Sequence, residues 1–96
     1  CSLSTREAMA RGLPVVGQRV GGMPENFGSA AAGALVPPGN ARAARAAVRG
    51  FLNDALGRRH CGRAAWRRSR MFPTWAEAAD RFGKALAVLH ARVATA

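Results

Sequence analysis

The charged residue with the clearest local setting is Glu7, close to the start of the chain. Ser4-Thr5-Arg6-Glu7 has the spacing of a capping box, with Ser2 or Ser4 as the residue that starts the helix. The amides of a first helical turn lack partners within the helix and carry the positive end of its dipole, which favours an anion there. This segment therefore predicts a capped helix start.

A second candidate segment is Gly21-Gly22-Met23-Pro24-Glu25, which reads as a glycine loop that leads into a short helix. The two glycines either approach a ligand or form a plain turn that needs positive φ. Glu25 falls in the first turn of that helix, where a carboxylate is favoured by the dipole. We therefore interpret Glu25 as a dipole residue and not as a catalytic acid.

Cysteine and histidine spacing predicts no metal site. Cys1 and Cys61 belong to no CxxC or CxxH pair, and the neighbours His60 and Cys61 would diverge on a helix. A disulfide framework is not expected either, so a reduced, cytoplasmic setting fits best.

Two short apolar runs predict the strands. Leu13-Pro14-Val15-Val16 follows a helix that runs from about Leu3 to Arg11 and that Gly12 and Pro14 end. Ala34-Leu35-Val36 is the second run, and both have the composition of strands buried in a parallel sheet. Because two strands make no stable sheet alone, we expect the rest of the sheet to come from residues that precede Cys1. The predicted class is α/β, a partial Rossmann-like domain with two short parallel strands.

The second half of the chain predicts three helices, over about 41–54, about 57–70 and from 75 onward, the first capped by Asn40 and the last by Thr74. Apolar residues at helical spacing predict core-facing stripes on the first and last of these. They are Ala44, Val48, Phe51, Leu52 and Ala55, and then Trp75, Ala78, Ala79, Phe82, Leu86, Leu89 and Val93. The middle helix carries a stripe of arginines, Arg59, Arg63, Arg67 and Arg70, which is typical of a solvated face.

The length, composition and charge of the chain limit the classes of protein to which it can belong. The chain has 96 residues, of which 49% are hydrophobic and 21% charged, and a formal charge of +10, so it is globular and holds one small domain or a piece of a larger one. No apolar run approaches the ~20 residues of a membrane span. The first residue, Cys1, begins no signal peptide and suggests a chain that starts partway into a gene product. The charge can attract nucleic acid, anionic lipid or a phosphorylated ligand.

Three segments in register resemble the family-4 (group 1) retaining glycosyltransferases of GT-B architecture. They are Glu7-Ala8-Met9-Ala10-Arg11-Gly12-Leu13-Pro14-Val15-Val16, Val20-Gly21-Gly22-Met23-Pro24-Glu25 and Gly33-Ala34-Leu35-Val36-Pro37-Pro38-Gly39. Phe72-Pro73-Thr74-Trp75 matches the family's Phe/Trp pair before a helical tail. The resemblance covers nearly the whole chain and implies that residues 1–96 are the C-terminal part of a donor-binding domain, without the preceding strands and the N-terminal domain.

The resemblance also implies roles for individual residues. Glu7 aligns with a glutamate that accepts hydrogen bonds from the donor ribose hydroxyls, for which a carboxylate has enough acceptor sites. Leu3 and Ser4 align with positions whose backbone N–H groups meet the donor phosphate. The family's other glutamate, near the transferring sugar, would lie two positions before Cys1, so no catalytic residue is expected in the chain. Arg6 stands where relatives often have an aliphatic residue, and it either adds charge or faces solvent.

The implied activity is transfer of a sugar from a nucleotide-diphosphate-sugar donor to an acceptor, with retention, no obligatory metal and no further cofactor. The chain alone would be inactive, and its partners would be the donor, an unknown acceptor and the missing N-terminal domain, with peripheral membrane contact allowed in the full protein.

The alternative function is a small cationic nucleic-acid-binding module that uses the arginine stripe. Against that module, the chain has no interleaved aromatic platform, no tyrosine and no helix-turn-helix or zinc signature. Membrane association through the same stripe is a third possibility, but the helix lacks a strong opposing apolar face.

Overall fold

The computed structural model describes residues 3–95 and contains five helices and two strands in that range. In chain order they are α1 (Leu3–Ala10), β1 (Val15–Gln18), α2 (Met23–Phe27), β2 (Gly33–Val36), α3 (Ala41–Leu52), α4 (Ala55–Ser69) and α5 (Trp75–Ala94). The α/β class and the order of elements expected from the sequence are confirmed. No helix within the described residues is long and apolar enough to cross a membrane.

The two strands pair in parallel, with Val15 opposite Gly33 and Gln18 opposite Val36, and α2 lies in the crossover between them. The prediction placed the first strand two residues too early. Leu13 does not join the sheet because its N–H donates to the Ala8 carbonyl at 3.1 Å and so belongs to the end of α1. Gly12, with φ of 72°, makes the left-handed turn that ends the helix, as the sequence predicted.

The core is small and lies where α1, α2 and α4 meet the sheet. Its buried apolar members are Met9, Phe27, Ala32 and Ala65. Partly buried apolar side chains surround them, namely Val15, Met23, Ala30, Leu35 and Phe72. The α1 helix packs mainly on α4, so the position of α1 depends on a helix more than forty residues away in sequence.

Side-chain caps set the starts of the three long helices. Asn40 accepts from the Ala43 amide at 2.9 Å, Asp54 from the Gly57 amide at 2.8 Å and Thr74 from the Glu77 amide at 3.1 Å. The caps at Asn40 and Thr74 confirm the sequence prediction. Asp54, expected as the last residue of the first long helix, instead starts α4, because its carboxylate satisfies a first-turn amide there.

The apolar stripe of α5 is exposed, which corrects the expectation that it forms core. Trp75 is 79% exposed and Phe82 68%, and Leu86, Leu89 and Val93 are also exposed. No residue of α3 or α5 is fully buried. In the α3 stripe Val48 and Leu52 are exposed, whereas Ala44 and Phe51 are half-buried. The helical spacing is correct for both helices, but residues 3–95 cover the α3 face only in part and leave the large apolar side chains of α5 exposed.

Candidate functional site

A cleft of about 370 Å³ separates α1 from the segment that joins α4 to α5. The α1 wall comes from residues at helical spacing, and the facing wall comes from the end of α4, the joining loop and the first turn of α5. The lining residues are Leu3, Arg6, Glu7, Ala10, Ser69, Phe72, Pro73, Thr74, Trp75 and Ala78. Its volume is within the usual range for small-molecule sites.

Glu7 lies on the α1 wall of this cleft and is exposed to solvent. Within residues 3–95 its carboxylate forms no hydrogen bond and no ion pair. The capping-box interpretation is wrong, because α1 begins at Leu3 and Glu7 therefore falls in the second turn, beyond the position from which a side chain can reach back. The carboxylate is thus available to a ligand.

Leu3 and Ser4 form the first turn of α1, and Leu3 lines the cleft. Ser4 lies inside the helix, so it is not the capping residue, and the alternative cap, Ser2, lies outside the described residues. The first turn carries the positive end of the helix dipole, and through Leu3 this turn contributes to the wall of the cleft that Glu7 also lines.

One of the two expectations for Arg6 was that it faces solvent, and the structure shows that it does not simply do so. Its side chain is half-buried, and its Nε donates to Asn26 Oδ1 at 3.1 Å. Its guanidinium carbon stands 4.3 Å from the centre of the Phe72 ring, a distance at which a cation is attracted to an aromatic face. Arg6 therefore joins α1 both to α2 and to the segment before α5.

Arg68 approaches the same two residues from α4. Its Nε donates to the main-chain carbonyl of Asn26 at 3.1 Å, and its guanidinium carbon lies 5.3 Å from the Phe72 ring centre. Asn26 is 1% exposed, and its side-chain amide nitrogen has no partner among residues 3–95. Two arginines, one ring and one buried asparagine thus hold α1, α2 and α4 together behind the cleft.

The glycine loop before α2 forms a turn. Gly21 has φ of 54° and Gly22 has φ of −82°, and a Cβ added to Gly21 would meet nothing within 4 Å. Positive φ is therefore the requirement at Gly21, as the plain-turn interpretation holds. Glu25 lies in the first turn of α2 and is exposed, which agrees with a dipole role.

The remaining candidates within the described part of the chain form no metal site. Among residues 3–95, no three His, Cys, Asp or Glu side chains come close enough to hold a metal ion. The arginines of the α4 stripe are exposed, and Arg70 lies 5.1 Å from the Trp66 ring centre. That stripe has the solvated character expected of it.

Sequence reasoning missed the cluster behind the cleft. Asn26 and Phe72 are far apart in the chain, and neither belongs to a periodic pattern that would place them beside Arg6. The only available signal was a polar residue, Asn26, between Glu25 and Phe27 in a short helix that must bury one face. Phe72 was noted for its motif and not for this contact.

Comparisons with known proteins agree with this architecture. A sequence profile described as glycosyl transferases group 1 matches residues 2–68. The structure of sucrose-phosphate synthase from Thermosynechococcus elongatus superposes with a TM-score of 0.82 and 32% sequence identity over 96% of this chain. No curated protein sequence matches the chain. The expected partial GT-B fold is confirmed by the structural match, and the chain spans 23% of that synthase.

Proposed function

Because the chain belongs to the group 1 glycosyltransferase family, we propose that residues 1–96 are the C-terminal part of the donor-binding domain of a retaining glycosyltransferase. The complete enzyme that contains them, called the complete enzyme below, transfers a sugar from a nucleotide-diphosphate sugar to an acceptor. The observation that supports the donor role is the carboxylate of Glu7, which has no partner within residues 3–95 and lies in a cleft that runs along α1 from its first turn.

The ribose and the phosphate of the donor bind at two different positions along α1. Glu7 accepts hydrogen bonds from the ribose hydroxyls, since an ionised carboxylate has acceptor sites for both members of a cis-diol. The backbone N–H groups at Leu3 and Ser4 face the donor phosphate, where the helix dipole stabilises negative charge. Because the two features lie one turn apart on the same helix, a nucleotide can reach both.

The chain contributes to catalysis by holding the donor and by stabilising the departing nucleoside diphosphate. Negative charge grows on that group as the bond to the sugar breaks, so fixed positive dipoles stabilise the transition state more than the ground state. The group that acts at the transferring sugar and the acceptor site belong to other parts of the complete enzyme. The isolated chain is therefore inactive, and the scheme requires no metal ion and no cofactor besides the donor. We place the complete enzyme in the cytoplasm, and this location is compatible with peripheral contact with a membrane.

The test is the donor affinity of Glu7→Gln in the complete enzyme, measured by calorimetry. Glutamine keeps the size of the side chain and loses the charge, so charged hydrogen bonds worth about 1.5–3 kcal/mol are lost. We expect binding to weaken roughly ten- to a hundredfold at an unchanged melting temperature. Affinity for a 2′,3′-dideoxyribose donor analogue should hardly change, because the hydroxyls that Glu7 binds are absent from it.

The matched control is Glu25→Gln, which removes an exposed carboxylate from α2, outside the cleft. It should leave donor affinity as in the wild type. If Glu7→Gln binds the donor like the wild type, or if both variants weaken it equally, the ribose role of Glu7 is wrong.

A further inference from the structure

The cleft contains one cation that no carboxylate of the described residues neutralises. Of the residues that line it, Arg6 is the only basic one and Glu7 the only acidic one. Within residues 3–95 the only ion pair joins Asp80 to Lys84, so no carboxylate neutralises Arg6. An unpaired guanidinium on the wall of a cleft favours an anionic ligand.

Arg6 is held in place before any ligand arrives. Its Nε bonds to Asn26 Oδ1 at 3.1 Å, and the Phe72 ring lies 4.3 Å from the guanidinium carbon. These two contacts restrain the plane of the guanidinium and use one of its five N–H donors. In the part of the chain described here, the two terminal nitrogens donate to no oxygen acceptor. They are therefore free to bind an oxyanion in the bidentate manner of arginine.

The neighbours of Arg6 show which anion fits. Leu3, at the dipole-positive start of α1, lies one turn before it, and Glu7 follows it on the same wall of the cleft. Helix start, guanidinium and carboxylate thus follow one another along α1. A ligand that carries phosphate groups joined to a vicinal diol matches this order, and a nucleoside diphosphate has that chemistry.

We propose that Arg6 binds the diphosphate of the nucleotide-sugar donor, an inference that rests on the proposed function. The guanidinium adds a full positive charge to the partial charge of the helix start, beside the group that gains negative charge when the donor bond breaks. Arg6 is then a specificity residue for phosphorylated ligands and also supports the chemical step. Its bond to Asn26 and its contact with Phe72 position it for both tasks.

Arg68 provides a control for a purely structural role. It contacts the same ring and the same asparagine as Arg6, but it does not line the cleft. If Arg6 only ties α1 to its neighbours, Arg6→Met and Arg68→Met should have similar effects. If Arg6 binds phosphate, only Arg6→Met should distinguish phosphorylated from unphosphorylated ligands.

The experiment measures inhibition constants in the complete enzyme for UDP, GDP and ADP, and for the matched nucleosides uridine, guanosine and adenosine. For the nucleotide and nucleoside pair that inhibits, Arg6→Met should raise the inhibition constant of the diphosphate roughly ten- to a hundredfold. It should raise the inhibition constant of the nucleoside by less than about twofold. Arg68→Met should leave the ratio of the two constants unchanged. Arg6→Lys, which keeps the charge, should restore part of the preference for the diphosphate.

A second variant separates a loss of phosphate binding from a loss of folding. Arg6→Met alone leaves Asn26 without its partner, so the double variant Arg6→Met/Asn26→Leu replaces the buried polar pair by an apolar one, a change that can be nearly neutral for stability. It should show the same selective loss of diphosphate binding at a melting temperature close to that of the wild type.

Several results would overturn the assignment. An equal loss for diphosphate and nucleoside, or a selective loss in Arg68→Met as well, would make Arg6 a structural residue. The ribose role of Glu7 is tested separately, because Glu7→Gln should weaken the binding of the nucleoside and of the diphosphate by the same factor. If neither ligand class binds the wild type, the proposed function fails and this inference fails with it.

Discussion

Gly62 of α4 packs directly against the main-chain carbonyl of Gly12, and a Cβ added to Gly62 would overlap with that carbonyl oxygen. Gly12 is the left-handed residue that ends α1, so this contact sets how closely α4 approaches the turn between α1 and β1. The obstacle is backbone, which cannot rotate away as a side chain can. Close packing of two glycines therefore fixes the helix that carries Glu7.

We expect Gly62→Ala to destabilise the protein by about 1–3 kcal/mol, because overpacking forces α4 away from the turn. Gly50→Ala is the control, since Gly50 is also helical and a Cβ there meets nothing within 4 Å. It should stabilise the protein by up to about 1 kcal/mol through helix propensity. Chemical denaturation of both variants measures the difference, and two changes of the same sign would contradict the packing argument.

The cap of α5 should contribute to stability through one hydroxyl. Thr74→Ala removes the acceptor for the Glu77 amide, and we expect a loss of about 1 kcal/mol. Thr74→Ser keeps the oxygen and should lose less than half of that. The free energies of unfolding, with helicity from circular dichroism, test this, and equal effects of the two substitutions would show that the hydroxyl is not the cause.

The exposed face of α5 should contribute little to the stability of the 96-residue protein. Phe82 is 68% exposed, so Phe82→Ala should change the free energy of unfolding by less than about 0.5 kcal/mol. Met9 is fully buried, and Met9→Ala should cost about 2–5 kcal/mol. Thermal or denaturant unfolding compares them, and a loss above about 2 kcal/mol for Phe82→Ala would mean that α5 folds back onto the core.

The same substitution gives a different prediction in the complete enzyme. If the rest of that enzyme covers the stripe fully, Phe82→Ala should cost about 3–5 kcal/mol there. The difference between the two measurements is then the contribution of the covering surface. An effect as small in the complete enzyme as in the 96-residue protein would leave the stripe exposed in both.

Local chemistry made much of the fold predictable. Gly12 ends α1 and Asn40 and Thr74 cap helices because each acts within a few residues of its own position. The strand prediction was shifted by two residues because Leu13 resembles a strand residue in composition while its amide completes the turn of α1. Composition records how apolar a residue is and does not record where its amide finds an acceptor.

Burial and the site depended on distant residues and were harder to predict. The α5 stripe has the correct period, but a period shows only that a helix has an apolar face and not what covers it. Glu7 could be identified from its motif, although its capping role failed once the helix start was known. The contact between Arg6 and Phe72 joins residues far apart in sequence, and no local rule brings them together.

The shared ring of Phe72 makes two arginines thermodynamically coupled. Since Arg6 and Arg68 both interact with that ring and with Asn26, removing one changes the environment of the other. The stability effects of the two single substitutions should therefore not sum to the effect of the double substitution, as is usual for residues that share partners. Because Arg68 does not line the cleft, this coupling should appear in the free energy of unfolding and not in the preference for phosphorylated ligands.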